Sequence, residues 1–315
     1  MIDSRYEVID YSGTNFKFLA GYVNYVMPHL HREIELGLVL SGEMGLNLRD
    51  GQSPLDAGDI WLIDPFQSHG TCTMTQGEPY LYVGFQLPRA FFREYYPMID
   101  RLEFTDHVLT ASQHGEAVMR KIRLLFLKAA RAYYKADEHY QLRCAGYINA
   151  IFAELLDHCD THMLDENQVE SNVKRNLRMQ KINEYIEQNY DRKLLLEEIA
   201  ESQGLSLHYM SHFFKDNWGM SFQKYLQYFR CEKARELIVS TDMSITDISF
   251  VCGFSDSKYL RQGFRELYQL DPSALRQRKK QNLQFDTKSK NICDSRRLTL
   301  EEAMEIFDRY IEQEQ

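Results

Sequence analysis

Long apolar runs are missing from this 315-residue chain. A membrane-crossing helix needs about 18 or more consecutive apolar residues, and no such stretch occurs, so no membrane association is expected. The first residues, Met1 to Gly13, hold neither the basic start nor the apolar segment of a secretory leader, which points to a cytoplasmic location. The six cysteines (Cys72, Cys144, Cys159, Cys231, Cys252 and Cys293) include no close pair of the kind that builds a zinc ribbon or a redox dithiol. Reduced, packed thiols are therefore expected, and no cofactor is implied. Positive charge is in deficit as well. The net charge of −9 argues at first sight against a nucleic-acid partner.

The deficit is regional. Residues 1–170 carry 14 Lys/Arg against 24 Asp/Glu, residues 171–280 carry 18 against 14, and residues 281–315 carry 5 against 8. A basic middle block thus lies between acidic neighbours, as expected of a DNA-facing module joined to a module with another task. The chain is also too long for one usual compact domain, so two core-forming units are expected. An apolar content of 44% with 26% charged residues fits ordinary globular domains.

From about Phe16 to Gln86, short apolar stretches alternate with turn points at Ser41-Gly42, Asp50-Gly51 and Ala57-Gly58. This pattern predicts a small antiparallel barrel or sandwich, assigned to residues 1–115. Helical spacing follows in residues 116–165, through Val118, Ile122, Leu125 and Ala129, then Leu142, Ala145, Ile148, Ile151 and Leu155. These helices are expected to cover the β domain, to pair two chains, or both. Residues 166–173 are polar and read as a linker. Residues 174–280 form an all-helical domain, and 281–315 an extension with a helix near 298–312. That helix opens on Thr299 three residues before Glu302, a capping-box pattern.

Between 194 and 276 the chain repeats itself. Ile199, Ala200, Gly204, Leu205, Ser206, Tyr209, Met210 and Phe214 correspond to Ile248, Ser249, Gly253, Phe254, Ser255, Tyr259, Leu260 and Phe264. Each copy reads as a short helix, a glycine turn and a second helix, which is a helix-turn-helix. The small residue Ala200 or Ser249 lets the helices approach, and the glycine supplies a left-handed turn. Tyr209 with Phe214, and Tyr259 with Phe264, are expected to face inward. Residues 221–239 lack proline and glycine and predict one continuous spacer helix, so two readers on one rod would address successive grooves of double-stranded DNA.

The block from about 174 to 278 resembles the DNA-binding domain of AraC-type (AraC/XylS) transcription regulators, with Leu260, Gln269 and Leu275 departing from that family's usual residues. The resemblance implies a DNA-binding regulator, commonly an activator that touches RNA polymerase, and not an enzyme. Helical phase assigns His208, Ser211 and His212 in the first reader, and Ser257, Lys258, Arg261 and Gln262 in the second, to base edges. Lys215, Lys224, Arg265, Arg276, Arg278 and Lys279 are assigned to phosphates.

The spacing His29-x-His31-x3-Glu35-x6-Gly42, followed by His69, is similar to the two motifs of the cupin barrel. In metal cupins such histidines and glutamate hold one divalent metal. Cupin-like sensor domains of AraC-type regulators often keep them without catalysis. Three roles stay open for these residues: hydrogen bonds to an effector, structural support of the β domain, and metal binding. The effector reading adds Tyr25, Trp61, Phe66 and Tyr82 as stacking partners. Family association favours a sugar as effector, and the helical segment of residues 116–165 makes a homodimer the expected assembly. The rivals are a metal-dependent cupin enzyme fused to a DNA-binding domain, and a constitutive DNA-binding dimer.

Overall fold

The computed structural model describes residues 5–6, 9, 11, 14–48, 51–75, 78–268, 270–280 and 295–315. The strands are β1 (Arg5–Tyr6), β2 (Lys17–Val23), β3 (Tyr25–Leu30), β4 (Ile34–Ser41), β5 (Met44–Leu48), β6 (Gly51–Leu55), β7 (Ile60–Ile63), β8 (His69–Thr73), β9 (Tyr80–Leu87), β10 (Leu102–Phe104), β11 (Val108–Leu109), β12 (Thr161–Met163) and β13 (Ser295–Arg297). They build a five-stranded sheet in the order β1-β3-β8-β5-β6 and a six-stranded sheet in the order β11-β7-β4-β9-β2-β13, while β10 pairs with β12 apart from both. The two sheets face each other across Val23, Val39, Met44, Leu46, Leu55, Trp61, Ile63 and Tyr80. Among the described residues their outermost strands do not pair across the gap. The N-terminal domain is therefore a β sandwich of two open sheets, and the barrel closure expected from the cupin likeness is not confirmed.

The helices are α1 (Ala111–His114), α2 (Glu116–Lys135), α3 (Tyr140–His158), α4 (Glu166–Asn189), α5 (Leu196–Ser202), α6 (Leu207–Trp218), α7 (Phe222–Ser240), α8 (Ile245–Val251), α9 (Ser257–Tyr268), α10 (Pro272–Lys280) and α11 (Leu300–Glu314). Helices α2 and α3 cover the outer face of the six-stranded sheet, where Ile122, Phe126, Ile148 and Ile151 meet Phe18, Leu36, Leu62 and Phe85 in one core. The predicted apolar stripe of α3 is corrected at its first residue. Leu142 is 76% exposed, and Cys144, two residues on, takes the inward position.

Residues 166–173 are not a linker. They are the first turns of α4, which starts on a reciprocal cap: the Gln168 N–H donates to Asp165 Oδ1 at 2.8 Å, and the Asp165 N–H donates to Gln168 Oε1 at 2.8 Å. Polar composition suggested a loop, but this cap satisfies two of the N–H groups that otherwise weaken a helix start. Asn172 then donates to Glu103 Oε1 of β10 at 3.2 Å, tying the new helix to the β domain.

The chain end returns to where the chain began. Strand β13 extends the six-stranded sheet by pairing antiparallel with β2, Arg296 opposite Tyr22. Helix α11 carries the predicted Thr299 capping box and buries Ala303, Ile306 and Phe307 in the same core as α2. Arg123 Nε donates to Glu314 at 2.5 Å, Arg131 pairs with Asp308, and the Tyr310 hydroxyl donates to the Leu40 carbonyl at 2.7 Å. The helices between 166 and 280 are thus bracketed by two pieces of one β domain. A truncation at Phe307 tests this closure. Phe307→Ala should cost about 3–5 kcal/mol in denaturant unfolding, although the residue lies beyond helices α4 to α10 in sequence; an unchanged midpoint would place α11 outside the core.

Candidate functional site

The two predicted helix-turn-helix units are present, as α5–α6 and α8–α9. Each turn passes through a glycine with positive φ, 64° at Gly204 and 81° at Gly253. Gly253 is doubly constrained, because an added Cβ would lie 2.5 Å from the Tyr190 carbonyl oxygen. Helix α7 belongs to both units at once. Its Phe222, Tyr225 and Leu226 pack with Ile199, Met210 and Phe214, while its Cys231, Ala234 and Ile238 pack with Ile248, Leu260 and Phe264. At Gly263 a Cβ would lie 2.7 Å from Gln227 Nε2 and 2.9 Å from Cys231 Sγ, so α9 seats directly on the spacer. With 19 residues at about 1.5 Å each, α7 is about 28 Å long, close to one turn of B-DNA at about 34 Å.

The inward-facing set differs from expectation. Tyr209 and Tyr259, at equivalent positions in the repeat, are 44% and 46% exposed, and Met210 with Phe213, and Leu260 with Gly263, fill the cores. Phe214 and Phe264 are buried as expected, but each tyrosine lies five residues before its phenylalanine, about 140° away around the helix, so the two cannot face the same core. The Tyr209 hydroxyl accepts from Arg178 of α4 at 2.7 Å. Both tyrosines join the surface that carries the assigned readers, and their recurrence in each copy was the signal available in the sequence.

His208, Ser211 and His212 lie exposed on α6, as do Lys258 and Gln262 on α9, with Ser257 half-buried. Arg261 is held within the protein: its Nη1 donates to Asp271 Oδ1 at 2.6 Å and to Ser273 Oγ at 3.2 Å, and Arg265 reaches the same carboxylate at 3.0 Å. Burial pulls the Asp271 carboxyl upward, but the Ser273 N–H and the two guanidinium groups outweigh it and keep the group below its usual range. Lys215 and Lys224 are exposed. Arg276 is not free for a phosphate, because it turns inward and donates to the Met243 carbonyl at 2.8 Å, with its Nε and Nη2 buried. The side chains of Arg278 and Lys279 lie outside the described residues.

The second site lies between the two sheets. A cavity of about 140 Å³ is lined by His29, Glu35, Trp61, His69, Tyr82 and Gln86, with Thr71 and Tyr80 at its wall. Gly37 makes room for Trp61, whose ring would stand 1.8 Å from any Cβ added there. Glu35 is the hub. Its carboxylate accepts from Trp61 Nε1 at 2.9 Å and from Gln86 Nε2 at 2.7 Å, and lies 3.0 Å from His31 Nε2 and 3.6 Å from His69 Nε2. Burial raises its pKa, yet the charge and hydrogen bonds of His69 and His31 prevail, so the group stays well below the usual carboxylate range. His31 Nδ1 faces the Glu33 carbonyl at 3.1 Å, and His69 Nδ1 faces the Gln67 carbonyl at 3.0 Å. A carbonyl only accepts, so Nδ1 of each ring carries a proton, and Nε2 donates to the ionised Glu35 carboxylate, offering its lone pair only where a cation takes the place of that proton. The ligand atoms of His29, His31, Glu35 and His69 all lie within 4.8 Å of one another. This donor set fits one divalent cation, with the carbonyls as outer supports, and equally fits hydroxyl groups of a compact ligand.

Of the eight residues assigned to the effector, His29, Glu35, Trp61, His69 and Tyr82 line the cavity, and His31 backs Glu35. Tyr25 and Phe66 do not. A bulge between Val26 and His29 reverses the side-chain alternation of β3, so Tyr25 points outward and packs against the core of the second helix-turn-helix unit. Phe66, in a left-handed conformation at φ 62°, turns out of the sandwich and packs against the core of the first unit. Gln86, Thr71 and Tyr80 were missed. The inward alternation of Tyr80, Tyr82, Gly84 and Gln86 on β9 was readable from strand period alone.

The outer face of β3 is the junction between the domains. Leu30 is fully buried among Met179, Ile182, Ile199 and Phe214 of the first unit, while its neighbours His29 and His31 point into the sandwich.

Residues 199–278 match the helix-turn-helix domain family. Over 126 residues the chain is 31% identical to the uncharacterized HTH-type transcriptional regulator YijO of Escherichia coli, covering 40% of this chain and 44% of that protein. It is 34% identical over 100 residues to the HTH-type transcriptional activator RhaS of Klebsiella pneumoniae, covering 32% and 36%, and 36% identical over 105 residues to the regulatory protein PocR of Salmonella typhimurium, covering 33% and 35%. The chain spans less than half the length of these curated relatives. A crystal structure of apo ToxT from Vibrio cholerae superposes on 84% of this chain and 97% of its own with a TM-score of 0.53 at 10% identity, a likeness of fold alone. Among the described residues no helix is long and apolar enough to cross a membrane. Residues 199–278 of this chain are an AraC-type helix-turn-helix DNA-binding domain, joined to a β-rich N-terminal domain.

Proposed function

We propose that this chain is a sequence-specific DNA-binding transcription regulator whose grip on DNA is set by a compact polar effector in the β sandwich. The observation that carries the reading is the seating of one strand in both sites: β3 supplies His29 to the cavity wall and Leu30 to the core of the first helix-turn-helix unit. An effector that repositions His29 cannot leave Leu30 where it was, so binding energy in the pocket biases the placement of the DNA-reading units. At about 140 Å³ the cavity falls below the roughly 300–1,000 Å³ of drug-sized sites, and it offers acceptors and donors beside the Trp61 and Tyr82 rings. A sugar or another small hydroxyl-rich molecule matches that chemistry. The names of the relatives as transcriptional activators support activation. The reading extends to a cytoplasmic homodimer that contacts RNA polymerase, and it requires no catalysis.

The DNA side is read from exposure. With Arg261 engaged by Asp271, the exposed Lys258 and His208, and Gln262, whose one printed bond is an exposed contact to Glu266 at 2.9 Å, serve as base readers, and Lys215 and Lys224 serve phosphates. Gln262→Ala should weaken operator binding by about 1–3 kcal/mol and relax preference at one base pair. Equal affinity and an unchanged selected sequence would remove α9 from base reading.

The convergence of His29, His31, Glu35 and His69, with Nδ1 of His31 and His69 fixed on carbonyls, favours a second reading, in which the cluster holds a divalent cation as part of the pocket. Thermal unfolding of the full chain against a panel of sugars, with and without chelator, separates the two. The effector reading predicts a sugar that raises the midpoint irrespective of chelator, a shift that Glu35→Gln abolishes. A midpoint lowered by chelator alone, with no sugar raising it, supports the cation and counts against the sugar.

A further inference from the structure

Away from the pocket, three metal-ligating side chains from three separate elements converge. Asp106 lies in the loop between β10 and β11, His114 is the last residue of α1, and Cys159 caps the C-terminus of α3. Their ligand atoms all lie within 4.8 Å of one another. His114 and Asp106 are held from behind. His114 Nδ1 faces the His158 carbonyl at 3.2 Å; a carbonyl only accepts, so the proton is on Nδ1 and the Nε2 lone pair is directed away from it. That Nε2 is hidden from solvent with no hydrogen-bond partner. Asp106 Oδ2 accepts from the Asp160 N–H at 2.9 Å, which leaves Oδ1 for another contact. The Asp160 carbonyl in turn accepts from the Thr105 N–H and hydroxyl, both at 3.0 Å, so the two loops are already laced together around the cluster. Cys159 is 8% exposed.

An imidazole fixed by a carbonyl on its far nitrogen, with its near nitrogen buried and unpartnered, is the arrangement of a metal-ligating histidine. Nitrogen, sulfur and carboxylate donors together select a borderline-soft divalent ion. Tetrahedral coordination at about 2.0–2.3 Å brings ligand atoms roughly 3.5 Å apart, a small closure of the present cluster by side-chain rotation. We propose that Asp106, His114 and Cys159 form a zinc-type metal site, distinct from the histidine cluster of the pocket, with a fourth position open to solvent through the half-buried Asp106 and His114. The metal staples the end of α3 to the β10–β11 loop, and β12 and the Asp165 cap of α4 follow within a few residues. It therefore fixes the root of the helix that leads into the DNA-binding domain.

Cobalt(II) reports on such a site, because a thiolate ligand adds a sulfur-to-metal charge-transfer band in the near ultraviolet that histidine and carboxylate ligands do not give. The reduced, chelator-treated full chain is titrated with Co²⁺. A thiolate band should appear and saturate at one equivalent, persist in Glu35→Gln, vanish in Cys159→Ser, and require about a hundredfold more Co²⁺ in His114→Gln; circular dichroism checks that both site variants fold. A wild-type chain without the thiolate band, or a band unchanged in Cys159→Ser, would overturn the assignment.

Discussion

A β-strand has two faces, and residues one apart cannot share a face. In this protein that constraint joins the cavity of the β sandwich to the cores of the helix-turn-helix units. Strand β3 sits in the five-stranded sheet beside β8, where His29 pairs with His69, and its other face is covered by the helical domain. His29 and His31 are turned inward and Leu30 outward by geometry alone. The bulge between Val26 and His29 sends Tyr25 outward as well, so one short strand touches the cores of both helix-turn-helix units. The loop after β7 adds a third contact. Asp64 anchors it through Arg89 at 3.0 Å and the Phe104 N–H at 2.8 Å, the Phe66 N–H donates to the His31 carbonyl at 2.6 Å, and the Phe66 ring lies against the first unit. A left-handed phenylalanine costs about 1–3 kcal/mol, and this contact is what the strain secures. The junction is thus built from the two segments that carry the histidines.

The rest of the chain holds that junction in place. Helix α4 leaves the β domain on a reciprocal cap, and the final strand and helix come back to it, so the DNA-binding domain is attached at both ends. The return is firm: a strand is added to the sheet, Phe307 is buried in its core and Arg123 is paired to Glu314. The bond of Asn172 to Glu103 and the packing of Leu30 and Phe66 against the first unit limit how far the helical domain can swing, so small displacements at β3 are not dissipated by free rotation.

Much of this was legible before any coordinates. The repeat was, because each copy must supply its own glycine turn and its own core, and these requirements recur at fixed spacing. The His29, His31, Glu35 and His69 constellation was legible for a similar reason: strand alternation places i and i+2 residues together. What escaped depends on single-residue phase or on distant partners. Tyr209 and Tyr259 lie about 140° around the helix from Phe214 and Phe264, so aromatic size placed them on a face that helical spacing does not. Tyr25 and Phe66 were sent the wrong way because neither a bulge nor a left-handed residue is marked in composition. The polar start of α4 was taken for a linker because its cap works through geometry. The partners of α11 lie far off in sequence, 177 residues for the Arg131–Asp308 pair and 270 for the Tyr310 bond to Leu40, and no local pattern carries that information. The open sandwich differs from the expected barrel because local turn spacing specifies hairpins and leaves closure to the pairing of edge strands.

The claim on which the account depends is that pocket and DNA-reading units share strand β3. Amide hydrogen exchange of the full chain, with and without a small molecule shown to raise its unfolding midpoint, addresses this most directly. The account predicts altered exchange in β3 and β8 together with α4, α5 and α6, the helices packed on or next to Leu30 and Phe66. Changes confined to the β sandwich, with those helices exchanging identically in both states, would contradict it.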